Sequence, residues 1–94
     1  MSATETSTVF LVLQTNEETR PVVEAIRIDN PGATVKQEPA MVRISAPETL
    51  AVNRETIEEQ IGRDYDLQEL HVNLVTLSGH VNEEEDALTL SWAR

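Results

Sequence analysis

A chain of 94 residues with 39% apolar content makes one domain around one small core, and with Phe10, Tyr65 and Trp92 as its only aromatics that core must be aliphatic. Seven basic residues against 17 acidic ones leave a net charge of −10, which opposes binding to nucleic acid or to anionic lipid headgroups. Cysteine is absent, which excludes disulfides, thiolate nucleophiles and cysteine-ligated zinc or iron–sulfur sites in this chain.

Residues 1–7 are small and polar and are expected to form a flexible tail. The opening MSATETSTVFLVLQ has no basic stretch and only a five-residue apolar run, too short for a signal peptide or a spanning helix. A cytoplasmic protein is expected. The run at 9–13 has the length and composition of a strand buried on both faces, and a strand is assigned over about 8–14. Thr15 and Asn16 are cap-type residues, and Glu17 and Glu18 place acids where a helix N-terminus favours negative charge. Pro21 is tolerated only near the first turn, so the regular helix is expected as late as Thr19, with Val22, Val23 and Ile26 as its buried stripe.

Asn30-Pro31-Gly32 ends that helix, because the residue before proline disfavours helical geometry and glycine supplies a permissive turn position. Residues 33–38 and 41–46 flank Pro39-Ala40 and read as an antiparallel hairpin, with Val42 and Ile44 on one face and the first strand at a sheet edge. A short strand at 50–52 then leads to Asn53 as an N-cap, with Val52 and Ile57 as a hydrophobic staple. Gly62 closes the helix; Asp66 opens another through a D-x-x-E capping box with Glu69, stapled by Tyr65 and Leu70. Strand is expected to resume at about Val72, followed by an acidic loop, HVNEEED, and a last strand at 87–92 in which Leu88, Leu90 and Trp92 alternate with Thr89 and Ser91.

The order of elements predicts a single α+β domain over 1–94, built of two β-α-β-β-like units with mainly antiparallel strands and two to three short helices. LVLQTNEET and LAVNRETIE share a strand-to-cap pattern. The same pattern describes many unrelated joints, so duplication stays open.

Little in the chain suits catalysis. His71 and His80 are the only histidines, and neither begins a pattern that would put metal ligands on one helix face; Glu69 and His71 on a helix would point about 200° apart. Glu83, Glu84, Glu85 and Asp86 lack the alternating oxygen ligands and central glycine of a calcium loop and read as a solvated hairpin tip. The glycines at 32, 62 and 79 are isolated, so no phosphate-binding loop is present. No catalytic residue, metal ligand or cofactor site is assigned.

The stretch LHVNLVTLSG is the exception to this plainness. If Leu70, Val72 and Leu74 face the core, alternation sends Thr76 and Ser78 inward and Val75 and Leu77 outward. A β-bulge near Leu74 or Val75 restores the phase and turns Asn73, Thr76 and Ser78 outward. Such a strand is either half-solvated or a docking edge, since small uncharged polar groups let a surface approach another protein without desolvating full charges.

NPGATVKQEPAMVRI, ETIEEQIGRDYDLQELHVNLVTLSG and the closing LTLSW together resemble the regulatory, or effector, component of bacterial multicomponent phenol hydroxylases, over nearly the whole span from Val9 to Trp92. Related effectors serve toluene and methane monooxygenases. The resemblance implies a cofactor-free, non-catalytic protein that binds the di-iron hydroxylase, works with the reductase only indirectly, and promotes coupled aromatic hydroxylation by modulating the active site and access to it. It implies a partner-binding segment containing Asn73, Thr76, Leu77, Ser78 and Gly79: Asn73 matches a family asparagine, Thr76 falls where a hydroxyl is usual, and Gly79 matches a turn glycine. Val75 and Leu77 depart from the methane branch, which is richer in hydroxyls there. The residues alone leave one other class open, a small-molecule-sensing module, which two β-α-β-β-like units also suit.

Overall fold

Residues 8–92 are described by a computed structural model; the tail expected at 1–7 lies outside them. The apolar run near the N-terminus forms β1 (Thr8–Gln14), whose Val9, Leu11, Val12 and Leu13 are all buried. Helix α1 (Thr19–Asp29) starts where Pro21 allows and buries Val22, Ala25 and Ile26. Its cap lies further upstream: the Thr19 amide donates to Asn16 Oδ1 at 3.0 Å, the Asn16 amide donates to Thr19 Oγ1 at 3.0 Å, and the Arg20 amide donates to the Asn16 carbonyl. Asn16 thus satisfies the Thr19 and Arg20 N–H groups at the start of the helix.

The helix stops at Asn30, and the hairpin β2 (Thr34–Glu38) and β3 (Met41–Pro47) follows, with β2 at the sheet edge and Val42 and Ile44 buried together. Ala40 takes a positive φ of 70° in the Pro39-Ala40 connection. Strand β4 (Thr49–Asn53) leads into α2 (Arg54–Ile61), which ends as expected on Gly62 in the left-handed region, its amide donating to the Glu58 carbonyl. Asn53 does not cap with its side chain; its Nδ2 reaches across to Asp29 Oδ2 at 3.0 Å. The Asp66–Glu69 capping box forms: the Asp66 amide donates to Glu69 Oε2 and the Gln68 amide to Asp66 Oδ1.

Two assignments change downstream. The helix so capped, α3 (Gln68–Asn73), runs through Val72, so residues 70–73 are helical and the next strand begins later, as β5 (Leu74–Ser78). The first half of the expected acidic loop is a strand, β6 (His80–Glu83), paired antiparallel with β7 (Ala87–Ser91). All four β6 residues are exposed, so backbone pairing rather than side-chain burial makes it a strand.

The strands form two antiparallel sheets, ordered β2-β3-β1-β5 and β4-β7-β6. With β5 set aside, β2-β3-β1 and β6-β7-β4 have the same order, each with a helix after its first strand, and α1 packs on α2. Two βαββ units are therefore present as a topological repeat, but the second is completed by β6, where a loop was expected, and not by the strand expected from Val72, which as β5 joins the other sheet and has no counterpart. The core lies on one face of each sheet, where registered pairs meet: Leu11 with Ile44, Leu13 with Val42, Val52 with Leu88, and Leu50 with Leu90. The chain passes between sheets at two corners of positive φ, Glu48 (71°) between β3 and β4 and Gly79 (129°) between β5 and β6.

Asn30, which ends α1, also protects the open edge of β4. Its Nδ2 donates to the carbonyls of Ile26 and Ala51, both at 2.7 Å, and its Oδ1 accepts from the Ala51 amide at 2.9 Å. One side-chain amide stands in for a neighbouring strand.

Candidate docking site

The antiparallel ladder between β1 and β5 is interrupted once. Phe10 faces Ser78, Leu11 faces Leu77 and Val12 faces Thr76, but Leu13 faces Leu74, which leaves Val75 as the extra residue of a β-bulge. The bulge sits where the hydrophobic phase demanded it, although the residues before it are helical. Its effect is to put Leu74 and Leu77 against the core and to aim Thr76 and Ser78 at the opposite face, Thr76 exposed and Ser78 half-buried. Leu77, expected in the contact segment, supports the strand from beneath.

Asn73 is a correction. It was expected to point outward, but only 9% of it is accessible. Its Oδ1 accepts from Asn16 Nδ2 at 2.9 Å and its Nδ2 donates to Glu18 Oε1 at 3.4 Å, tying the end of α3 to the start of α1. No signal in the chain pairs two asparagines 57 positions apart, which is why alternation alone misplaced it.

Gly79 forms the corner after β5. A Cβ there would lie 2.9 Å from Val9 Cγ1, 3.4 Å from Val9 Cβ and 3.5 Å from the Ser91 carbonyl oxygen, and its φ is one that other residues rarely adopt. Exposed apolar side chains occur before, within and after β5: Val72 at 76%, Val75 at 46% and Val81 at 37%. Glu83 at the far end of β6 accepts from Gln68 Nε2 and contacts His71 Nε2, each at 3.1 Å, so α3 is strapped to the edge strand. This pairing joins His71 to an acid 12 residues on, and among the described residues no three His, Cys, Asp or Glu side chains converge as metal ligands would.

The face that carries Thr76 and Ser78 also presents Phe10 and Val12 of β1 and Met41, Arg43 and Ser45 of β3. Arg43 lies over the Phe10 ring at 4.0 Å from its centroid, a cation–π contact that holds the guanidinium flat on the sheet. On β2 this face adds Lys36, which registers with Arg43, and Glu38, the one acid that these four strands turn outward. In a chain of net charge −10 this is an acid-poor surface. The acids gather elsewhere, around a cleft near 660 Å³ lined by Glu58, Asp64, Asp66, Glu69, Glu84 and Glu85. Tyr65 borders that cleft; burial, and then the Glu69 carboxylate, push its hydroxyl from 10.0 to about 12.

A half-open groove of about 600 Å³ between α1 and β2 is the place a small molecule would occupy. Two of its polar side chains are already engaged, Thr19 Oγ1 with the Gln14 carbonyl and Arg27 with Glu24. No helix among the described residues is long and apolar enough to cross a membrane.

The sequence profile of the MmoB/DmpM family matches residues 7–91. The chain is 46% identical over 86 residues to the phenol 2-monooxygenase stimulatory component DmpM of Pseudomonas sp. (strain CF600), covering 92% of this chain and 96% of that protein. A solved chain from a phenol hydroxylase–regulatory protein complex matches with a TM-score of 0.89 and 44% identity, over 93% of this chain and 100% of that one. The soluble methane monooxygenase regulatory protein B matches with a TM-score of 0.74 at 22% identity, over 99% of this chain and 70% of its own length, a likeness of fold.

Proposed function

The chain belongs to the MmoB/DmpM family, and from that premise we propose that it is the stimulatory component of a phenol hydroxylase system, binding the di-iron hydroxylase and promoting coupled aromatic hydroxylation. Its near full-length similarity to such a component carries the reading. Members of the family are non-catalytic parts of multicomponent monooxygenases. The reductase is then an indirect partner, reached through the same cytoplasmic enzyme system.

A protein of this kind changes a reaction by binding one state of its partner better than another. Shifting an enzyme equilibrium tenfold takes about 1.4 kcal/mol of differential affinity, within reach of a few contacts. We assign those contacts to the bulged edge: Thr76 and Ser78 touch the hydroxylase, Gly79 turns the chain away beneath it, and Leu77 and Asn73 hold the strand from behind. The acid-poor sheet face beside Thr76 supports this choice, because few full charges need to be desolvated as the surfaces close.

The test is NADH-driven phenol hydroxylation by a hydroxylase and its reductase, titrated with this protein and scored as catechol formed per NADH consumed. A rise to a stoichiometric optimum is expected, and Thr76→Arg should lose it while remaining folded. No response from a matched, active hydroxylase, together with thermal stabilisation of the free protein by a metabolite, would overturn the reading in favour of a small-molecule sensor at the α1–β2 groove.

A further inference from the structure

We propose that Asn16, although it stands at the start of α1 and outside the docking strand, is a positioning residue for that strand and acts through Asn73. The inference rests on the reading above, in which the bulged edge meets the hydroxylase. Strand β5 is an edge strand, held by β1 on one side alone, and that ladder is broken between Val12 and Leu13, so its own hydrogen bonds fix its phase weakly. A slip of one residue would exchange Thr76 and Ser78 for Val75 and Leu77 on the outward face. Besides Leu74 and Leu77 packed beneath, the segment is anchored by the residue just before it. Asn73 closes α3, is buried, and accepts the 2.9 Å bond from Asn16 Nδ2.

Asn16 is a rigid anchor because both ends of its amide are used. Its Oδ1 accepts from the Thr19 amide at 3.0 Å as the helix cap, which leaves Nδ2 facing Asn73. The cap and the latch are therefore one side chain, and chemistry can separate them. Serine caps a helix about as well as asparagine. Its hydroxyl can accept from the Thr19 amide, but it is too short to reach Asn73.

The experiment measures the affinity of Asn16→Ser, Asn73→Ser and the double variant for a phenol hydroxylase, with catechol per NADH alongside. Asn16→Ser is expected to weaken binding roughly tenfold and, through the loss of one part-buried hydrogen bond, to lower the thermal midpoint by about 4–8 °C, so affinity is measured well below that midpoint. The double variant should bind no more weakly than the weaker single variant, since both remove the same link. Amide NMR shifts at Thr76 and Ser78 should move in Asn16→Ser, a readout that loss of helix stability alone would not produce. If Asn16→Ser fails to fold, Asn73→Ser breaks the same bond from the other side and, because it also removes the 3.4 Å bond to Glu18, is compared with Glu18→Ala, which removes that bond alone. Unchanged affinity, additive losses or unmoved resonances at 76 and 78 would overturn the latch. Failure of the unaltered protein to bind the hydroxylase would instead overturn the reading on which it stands.

Discussion

Replacing Gly79 with alanine is the most searching test of the corner between the sheets. Two costs arise. At φ 129° an L-residue is strained, worth about 1–3 kcal/mol. The added methyl also meets Val9 Cγ1 at 2.9 Å, and Val9 is fully buried and β-branched, so it cannot swing clear; overpacking of this kind costs about 1–3 kcal/mol. The sum, about 2–6 kcal/mol, is a large share of the roughly 5–14 kcal/mol typical of a domain this size. Urea unfolding followed by circular dichroism should show it as a lower midpoint at unchanged slope. Adding Val9→Ala removes Cγ1 and should return about 1–2 kcal/mol of the steric part relative to additivity, leaving the backbone part. Gly62→Ala supplies the control, because φ is 77° there but nothing lies within 4 Å of the new methyl, so the strain alone should appear. A Gly79→Ala protein within about 0.5 kcal/mol of the parent would refute the reasoning, since that is the range of surface substitutions without structural consequence.

Asn30→Ala should cost about 2–3 kcal/mol in the same urea assay, because it removes the bonds to Ile26 and Ala51 together and uncovers the β4 edge. Ala40→Gly should stabilise by about 0.5–1 kcal/mol, the relief of a positive φ exceeding the added flexibility of the unfolded chain. Tyr65 makes stability depend on alkaline pH: the unfolded chain loses this proton near 10.0 while the folded chain keeps it to about 12, so the contribution is complete below 10.0 and is lost as pH rises toward 12. Urea midpoints taken at rising alkaline pH should fall more steeply for the parent than for Tyr65→Phe.

Local signals were legible wherever neighbours in the chain determine the outcome. The apolar run of β1, the Asp66–Glu69 box and Gly62 as a helix stop all formed as expected. The failures have a common physical source. Residues 70–73 alternate apolar and polar like a strand, and α3, six residues long, is too short for a helical period to show against that pattern. Strand β6 buries nothing, so it leaves no alternation to read. Asn53 has the chemistry of a cap, yet Asp29 offers its amide a partner that only the tertiary fold brings near. At the candidate site the bulge was foreseeable because a slipped phase must be paid back somewhere, whereas the burial of Asn73 depends on Asn16 at the other end of the chain.

The repeat gives β5, the proposed docking strand, an unusual independence. Since β2-β3-β1 and β6-β7-β4 complete each other's architecture without β5, the frame can be inherited unchanged while the one strand without a counterpart is rewritten. Substitutions at 75, 76 and 78 alter what is presented to a partner, yet they leave both three-stranded ladders and the core pairs of β1, β3, β4 and β7 intact. Grafting the segment 74–79 between relatives, with Gly79 and the Asn16–Asn73 pair retained, should therefore exchange partner preference at little cost to folding. A small domain arranged this way can follow the drift of a partner one strand at a time.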